Sequence, residues 1–218
     1  MAYKAVVVGA SGLIGRKLLN ILWHWPEYDE IISIGRKKIN LKNKKLTQLI
    51  VDFDHLDSYA EQINGHALFC CLGTTRDKTP DPTAYRVIDH DYPVKLAEIA
   101  HKNGVSQYHF VSSIGANAAS SSFYLKTKGE TEDDIKSIGL NCLHIYQPSV
   151  LTGHRNDRGL LEQFTIKFMW LINPLLIGPL KKYQSVPAYS VAMAMFKQSL
   201  KNKEGIFIHP SDKIKKSK

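Results

Sequence analysis

Lys4-Ala-Val-Val-Val-Gly-Ala-Ser-Gly-Leu-Ile-Gly-Arg16 reads as a buried strand running straight into a glycine-punctuated turn and then a helix. The apolar run Ala5 to Val8 suits a strand covered on both faces, beginning at about Tyr3. Gly9 permits a tight turn, Gly12 admits a phosphate close to the backbone, and Gly15 lets the following helix pack tightly on the strand. The free N–H groups and positive dipole end at the start of that helix then face a pyrophosphate. Gly9, Ser11, Gly12, Leu13, Ile14 and Gly15 are therefore the expected cradle of a dinucleotide. Helical periodicity continues through Leu18, Leu19, Ile21, Leu22 and Trp25 and stops at Pro26.

Outward from this unit, strand-like and helix-like segments alternate, which predicts an α/β fold with a parallel sheet and crossover helices. Strands are expected at Glu30 to Ile34, Leu46 to Val51, His66 to Leu72, Gln107 to Ser112 and Asn141 to Gln147. One helix should span about Tyr85 to Lys102, ending at Asn103-Gly104, and another Phe123 to Ser137, capped by Ser120-Ser121-Ser122. After Pro148 the pattern loosens into a polar loop (His154 to Arg158), an apolar segment (Phe164 to Leu180), a helix from about Ala188 to Lys201 and a short strand, Gly205 to His209. The lysine-rich tail after Pro210 is expected to fray. The 218 residues thus read as one domain, with a core over 1–150 and a substrate-capping region over about 151–210.

The net charge of +9 is concentrated in Arg36, Lys37, Lys38, Lys42, Lys44 and Lys45, and in Lys213, Lys215, Lys216 and Lys218. No aromatic-interleaved basic stripe accompanies it, so an anionic ligand is expected rather than specific nucleic-acid binding. Cys70 and Cys71 lie inside an apolar run, as small buried hydrophobes, and no Cys/His spacing suits a metal. With the first strand so near the N-terminus there is no room for a signal peptide, and a reducing, cytoplasmic location is expected. Lys167, Asn173, Pro174, Gly178 and Pro179 interrupt the apolar segment, which falls short of a membrane span. It could instead cap a pocket or rest on a membrane surface.

The second strand ends Ile34-Gly35-Arg36-Lys37. An acid at this point would bond a ribose 2′-hydroxyl. Arg36, with Lys37 beside it, would instead pair with a 2′-phosphate, which predicts NADP(H) over NAD(H). Asp52 and Phe53 would flank the adenine, and Leu72, Gly73, Thr74 and Thr75 would pass under the ribose and pyrophosphate. A second constellation is Tyr124-Leu-Lys-Thr-Lys128, preceded by Ser112-Ser113 at a strand end. Four residues apart, Tyr124 and Lys128 share one helical face. A nearby ammonium favours the phenolate, bringing a tyrosine toward acid–base use. Ser113 (or Ser112) would hydrogen-bond a carbonyl oxygen as charge develops on it.

Together these residues resemble the short-chain dehydrogenase/reductase superfamily, and more narrowly its atypical branch containing the Tat-interactive-protein oxidoreductases. The likeness is carried by Gly9 to Gly15, Ile34 to Lys37, Val51 to Asp54, Phe69 to Arg76, Ser112 to Asn117, Tyr124 to Glu130 and Gln147 to Leu151. It implies a Rossmann-type doubly wound sheet and NADPH as cofactor. It also implies Tyr124 as proton donor, Lys128 on the nicotinamide ribose, a serine pair (Ser112, Ser113) on the substrate carbonyl, and Pro148 to Val150 against the nicotinamide. Many superfamily members carry a catalytic asparagine on the helix before the fifth strand. Here that stretch is Val87-Ile-Asp-His-Asp-Tyr92, with none, and Gln147 replaces an arginine common before the proline. The resulting expectation is an NADPH-dependent reductase of a small or hydrophobic carbonyl compound, monomeric or homodimeric. The alternative readings are a cofactor-sensing regulator acting through a protein partner, and a peripheral membrane protein.

Overall fold

The structure is a computed structural model and describes residues 2–153, 176 and 178–216. The strands are β1 (Tyr3–Val8), β2 (Tyr28–Gly35), β3 (Leu46–Ile50), β4 (Ala67–Cys70), β5 (Gln107–Val111), β6 (Cys142–Gln147), β7 (Leu151–Thr152), β8 (Val186–Pro187) and β9 (Gly205–Pro210). Seven of them form one parallel sheet in the order β3-β2-β1-β4-β5-β6-β9, and β7 pairs with β8 separately. The order reverses at β1, so the loops at the carboxyl ends of β1 and β4 part and leave a crevice, where such sheets hold ligands. This is the Rossmann-type doubly wound sheet.

Alternation along β1 builds both cores. Ala5 and Val7 point to one face, with Leu18, Leu22, Phe69, Met195 and Phe196. Val6 and Val8 point to the other, with Ile34, Leu68, Leu96, Phe110 and Ile145. The helices are α1 (Leu13–His24), α2 (Pro82–Arg86), α3 (Tyr92–Lys102), α4 (Phe123–Ser137), α5 (Ala188–Ser199) and α6 (Ser211–Lys216).

Several boundaries differ from expectation. The helix expected over Tyr85 to Lys102 starts earlier, because the Asp81 carboxylate accepts from Ala84 N–H at 2.7 Å and Pro82 suits the first turn. It is also divided by a π turn, Val87–Asp91. A 3₁₀ stretch, Phe53–Gln62, fills a region with no clear periodicity. The serine run before α4 supplies no side-chain cap. Ser122 occupies the cap position, and Ser120 accepts from its N–H instead.

Residues 188–210 belong to the body rather than to a cap. Helix α5 packs on α1 and buries Val191, Ala192, Met195 and Phe196, while β9 extends the sheet beside β6. The tail does not fray at Pro210 either. Ile214 is buried, and the buried Ser211 hydroxyl lies 3.0 Å from that of Ser149. The polar loop at His154 to Arg158 and the aromatic run Phe164, Phe168, Met169 and Trp170 lie outside the described residues. Among the described residues no helix is long and apolar enough to cross a membrane.

One face of the sheet carries an imidazole ladder across three strands. His109 and His144 stack with ring centroids 4.6 Å apart, and His144 Nδ1 lies 2.9 Å from His209 Nε2. Burial holds all three neutral: His109 well below the usual histidine range, His144 at about 3 and His209 at about 4.

Candidate active site

The glycine loop is built as a backbone cradle. Gly9 has φ +82°, and a Cβ there would lie 2.6 Å from the Cys71 carbonyl oxygen. At Gly15 a Cβ would lie 2.4 Å from Gly9 O, so α1 presses on the turn itself. Gly12 N–H donates to Gly9 O at 3.0 Å, and α1 has neither a side-chain cap nor an acid in its first turn. Its leading N–H groups are therefore left for a ligand. Ser11 is exposed and Leu13 half-buried, whereas Ile14 is buried in the core and can offer a ligand only its backbone. The donor chemistry and the close backbone approach fit the pyrophosphate of a nicotinamide dinucleotide.

At the far end of the crevice Arg36 and Lys37 follow β2, exposed, with no acid at that turn. Asp52 caps the 3₁₀ stretch: its carboxylate accepts from Asp54 N–H at 3.1 Å and contacts His55, which holds it below the usual carboxylate range. The side chain of Phe53 is turned inward, so it can offer an adenine only its backbone. It is 6% exposed and packs on Tyr92 at 5.1 Å, because the first 3₁₀ turn directs it into the core.

The serine pair, Tyr124 and Lys128 are carried by the end of β5 and by α4. Ser112 and Ser113 follow β5 but differ. The buried Ser112 hydroxyl donates to Glu132, whose carboxylate also accepts from Gln147 Nε2 at 2.9 Å. Gln147 thus closes an internal network. Among the described residues the half-buried Ser113 has only a 3.4 Å contact to the Ile114 carbonyl, which leaves its hydroxyl usable. Helix α4 carries Tyr124, 40% exposed, and one turn on the buried Lys128. A Cβ at Gly129 would lie 2.2 Å from Ala118 N, and Asn117 N–H donates to Leu125 O at 3.0 Å. The loop after Ser113 is therefore pressed directly onto α4, which accounts for the glycine following the lysine.

Lys128 Nζ lies 2.8 Å from Asp89 Oδ1 and 5.1 Å from the Phe110 ring centroid. Burial alone would lower this lysine's pKa, and the charge of Asp89, with Tyr124, more than reverses that, so it sits above the usual lysine value. Asp89 stands in the stretch that lacks the asparagine, and its role was not legible from sequence. The loop Leu72, Gly73, Thr74 and Thr75 is tied to it, since Thr74 N–H donates to Asp89 Oδ2 at 2.8 Å. Pro148 is buried and its carbonyl accepts from Ile114 N–H at 2.9 Å, while Val150 O accepts from Val186 N–H at 2.9 Å. Of these groups, Ser112, Ser113, the loop from Leu72 to Thr75 and Pro148 follow the carboxyl ends of parallel strands, while Tyr124, Lys128 and Asp89 are carried by helical segments. Lys38, Leu41, Lys42, Asn43 and Lys44 line a separate open hollow of about 480 Å³, away from Tyr124.

Residues 5–213 match the NAD dependent epimerase/dehydratase family. The chain belongs to that family. It is 36% identical over 166 residues to Protein HTATIP2 of Rattus norvegicus, covering 74% of this chain and 68% of that one. It is 30% identical over 195 residues to Protein FMP52, mitochondrial, of Meyerozyma guilliermondii, covering 88% and 82%. Among solved structures, MoeE5 in complex with UDP-glucose and NAD superposes with a TM-score of 0.71 at 14% identity, over 94% of this chain and 74% of that one, a likeness of fold. The expected atypical short-chain dehydrogenase/reductase and nicotinamide-dependent oxidoreductase are thereby borne out. The cytoplasmic expectation is overturned: several yeast relatives carry mitochondrial names.

Proposed function

We propose that the chain is an NADPH-dependent reductase of a small or hydrophobic carbonyl compound, working as one domain over 1–218. What supports this reading is that Tyr124 stands one turn before Lys128 on α4 and acts on it electrostatically, while Ser113 follows the carboxyl end of β5 with a hydroxyl that, among the described residues, makes only a 3.4 Å contact. Bound NADPH would supply a hydride. Ser113 would hold the carbonyl oxygen, and Tyr124 would give it the proton as negative charge develops. Lys128, its ammonium ion-paired to Asp89, would bond the nicotinamide ribose and stabilise the phenolate left on Tyr124. Gly9 to Gly15 would hold the pyrophosphate, with Pro148 and Val150 against the nicotinamide. Arg36 and Lys37 support the phosphorylated cofactor, since their turn offers a 2′-phosphate cations and a 2′-hydroxyl no acceptor.

The test is NADPH consumption by the purified protein across a panel of aldehydes and ketones, with NADH and Tyr124→Phe as controls. Turnover that requires NADPH and Tyr124 is expected. Saturable NADPH binding with no turnover on any member of the panel would refute catalysis of this kind.

A further inference from the structure

The Asp89 carboxylate touches two parts of the site, with a different oxygen for each. Oδ1 lies 2.8 Å from Lys128 Nζ, and Oδ2 accepts from Thr74 N–H at 2.8 Å. Both partners are donors. An asparagine would offer one accepting oxygen and one donating NH₂, so either the ammonium or the peptide N–H would face a donor. A carboxylate meets the ammonium as an ion pair with one oxygen and accepts the peptide N–H with the other.

Its placement is built into the fold. The π turn Val87–Asp91 adds a residue to the helical winding, and Tyr92 N–H closes it on Val87 O. The Thr131 hydroxyl of α4 sits between Asp89 O (3.1 Å) and Thr127 O (2.7 Å), pinning that turn to the helix that carries Lys128. The neighbouring His90 bonds instead to Asp91 and Asp134. Lys128 and Asp89 have side chains only 5% and 1% exposed, so water screens their contact little.

We propose that Asp89 is the positioning residue of this site, holding the Lys128 ammonium and the loop Gly73 to Thr75 in one fixed relation through its two oxygens. The proposal rests on the reductase reading above. In place of an asparagine relay, a direct charge contact keeps Lys128 protonated and aimed while a dinucleotide lies across the same loop. The titratable groups that face Lys128 are Asp89 from the π turn, Tyr124 from its own helix and Cys70 from β4. Tyr85 of α2 faces Asp89.

The test follows the Lys128 titration by NMR on protein labelled with ¹³C at lysine Cε, the signal being assigned by its loss in Lys128→Met. In Asp89→Asn the Lys128 ammonium should titrate about 1–3 pH units below wild type. Asp89→Glu, which restores the charge, should recover most of that shift. NADPH binding at alkaline pH, read by the fluorescence of the bound cofactor, should weaken about tenfold in Asp89→Asn. A Lys128 titration unmoved in folded Asp89→Asn overturns the proposal. Should Asp89→Asn not fold, the double variant Asp89→Asn/Lys128→Met decides. Recovery of the fold on removing both charges supports the pairing, and a double variant that stays unfolded overturns it. The titration needs neither cofactor nor turnover, so a chain that reduces no carbonyl but shows the shift fails the reductase reading alone.

Discussion

Lys128 and the run from Arg36 to Lys45 are two cationic regions of the described residues, and they stand in opposite environments. Lys128 is one buried charge, 2.8 Å from a buried carboxylate. Arg36, Lys37, Lys38, Lys42 and Lys44 are exposed side chains on one turn and the loop after it, and Lys45 is half-buried with its ammonium on the Trp25 carbonyl. At a separation of about 4 Å, two opposite charges attract by about 1 kcal/mol in water and about 4 kcal/mol near a protein's interior. One hidden lysine can therefore outweigh a conspicuous cluster. Most of the net charge of +9 describes the surface, and the charge that organises the site is scarcely visible in it.

The sharpest way to break this contrast is to remove the buried cation. Lys128→Met leaves Asp89 buried beside a methyl group and should lower unfolding free energy by about 3–5 kcal/mol, measured by urea denaturation. A loss below about 1 kcal/mol would mean that the pair is not truly shielded. Tyr124→Phe removes only an exposed hydroxyl, so the fold and NADPH affinity should persist while turnover falls about 10²–10⁴-fold in steady-state kinetics. Within the exposed run, one member should stand apart. Arg36→Ala is expected to weaken NADPH about ten- to hundredfold and to leave NADH nearly unchanged, as read by fluorescence titration. Lys42→Ala, in the same run, should shift stability by no more than about 0.5 kcal/mol. Equal losses for Arg36 and Lys42 would reduce the run to a diffuse field with no specific contact.

Acid supplies a separate handle on burial. His109, His144 and His209 are held neutral in the fold, with values depressed to about 3 for His144 and about 4 for His209. The unfolded chain binds protons near the ordinary histidine value, about 6.5. Their contribution is thus fully present above that pH and is lost progressively as pH falls toward about 4. The melting temperature should decline across this window, and His144→Phe should flatten the decline.

What sequence could show divides along similar lines. The glycine loop was legible because each glycine answers a local demand, and Gly9 and Gly15 meet backbone at distances that no side chain tolerates. The Tyr124–Lys128 spacing was legible because a helix makes it geometric. Asp89 was not, since its importance arises from two long-range contacts and a π turn that composition does not announce. The burial of the Phe53 side chain could not be read from sequence, since the turn that directs it inward depends on packing against Tyr92. The pair Ser112-Ser113 was ambiguous for the same reason: only the buried Glu132 decides which hydroxyl is internal. Helix α6 was lost among lysines, its one buried apolar residue being Ile214.

That last helix has a consequence for the order in which the protein can mature during synthesis. Chains are made from the N-terminus, and early segments fold as they emerge. The glycine cradle and the Tyr124–Lys128 helix are all made before residue 150. Yet the Ser149 N–H and hydroxyl, on the loop next to Pro148 and Val150, both meet the Ser211 hydroxyl. The wall of the crevice therefore waits for residues made some sixty positions later. A ribosome-bound chain halted before Ser211 would hold a nearly complete sheet whose ligand face is still open on one side.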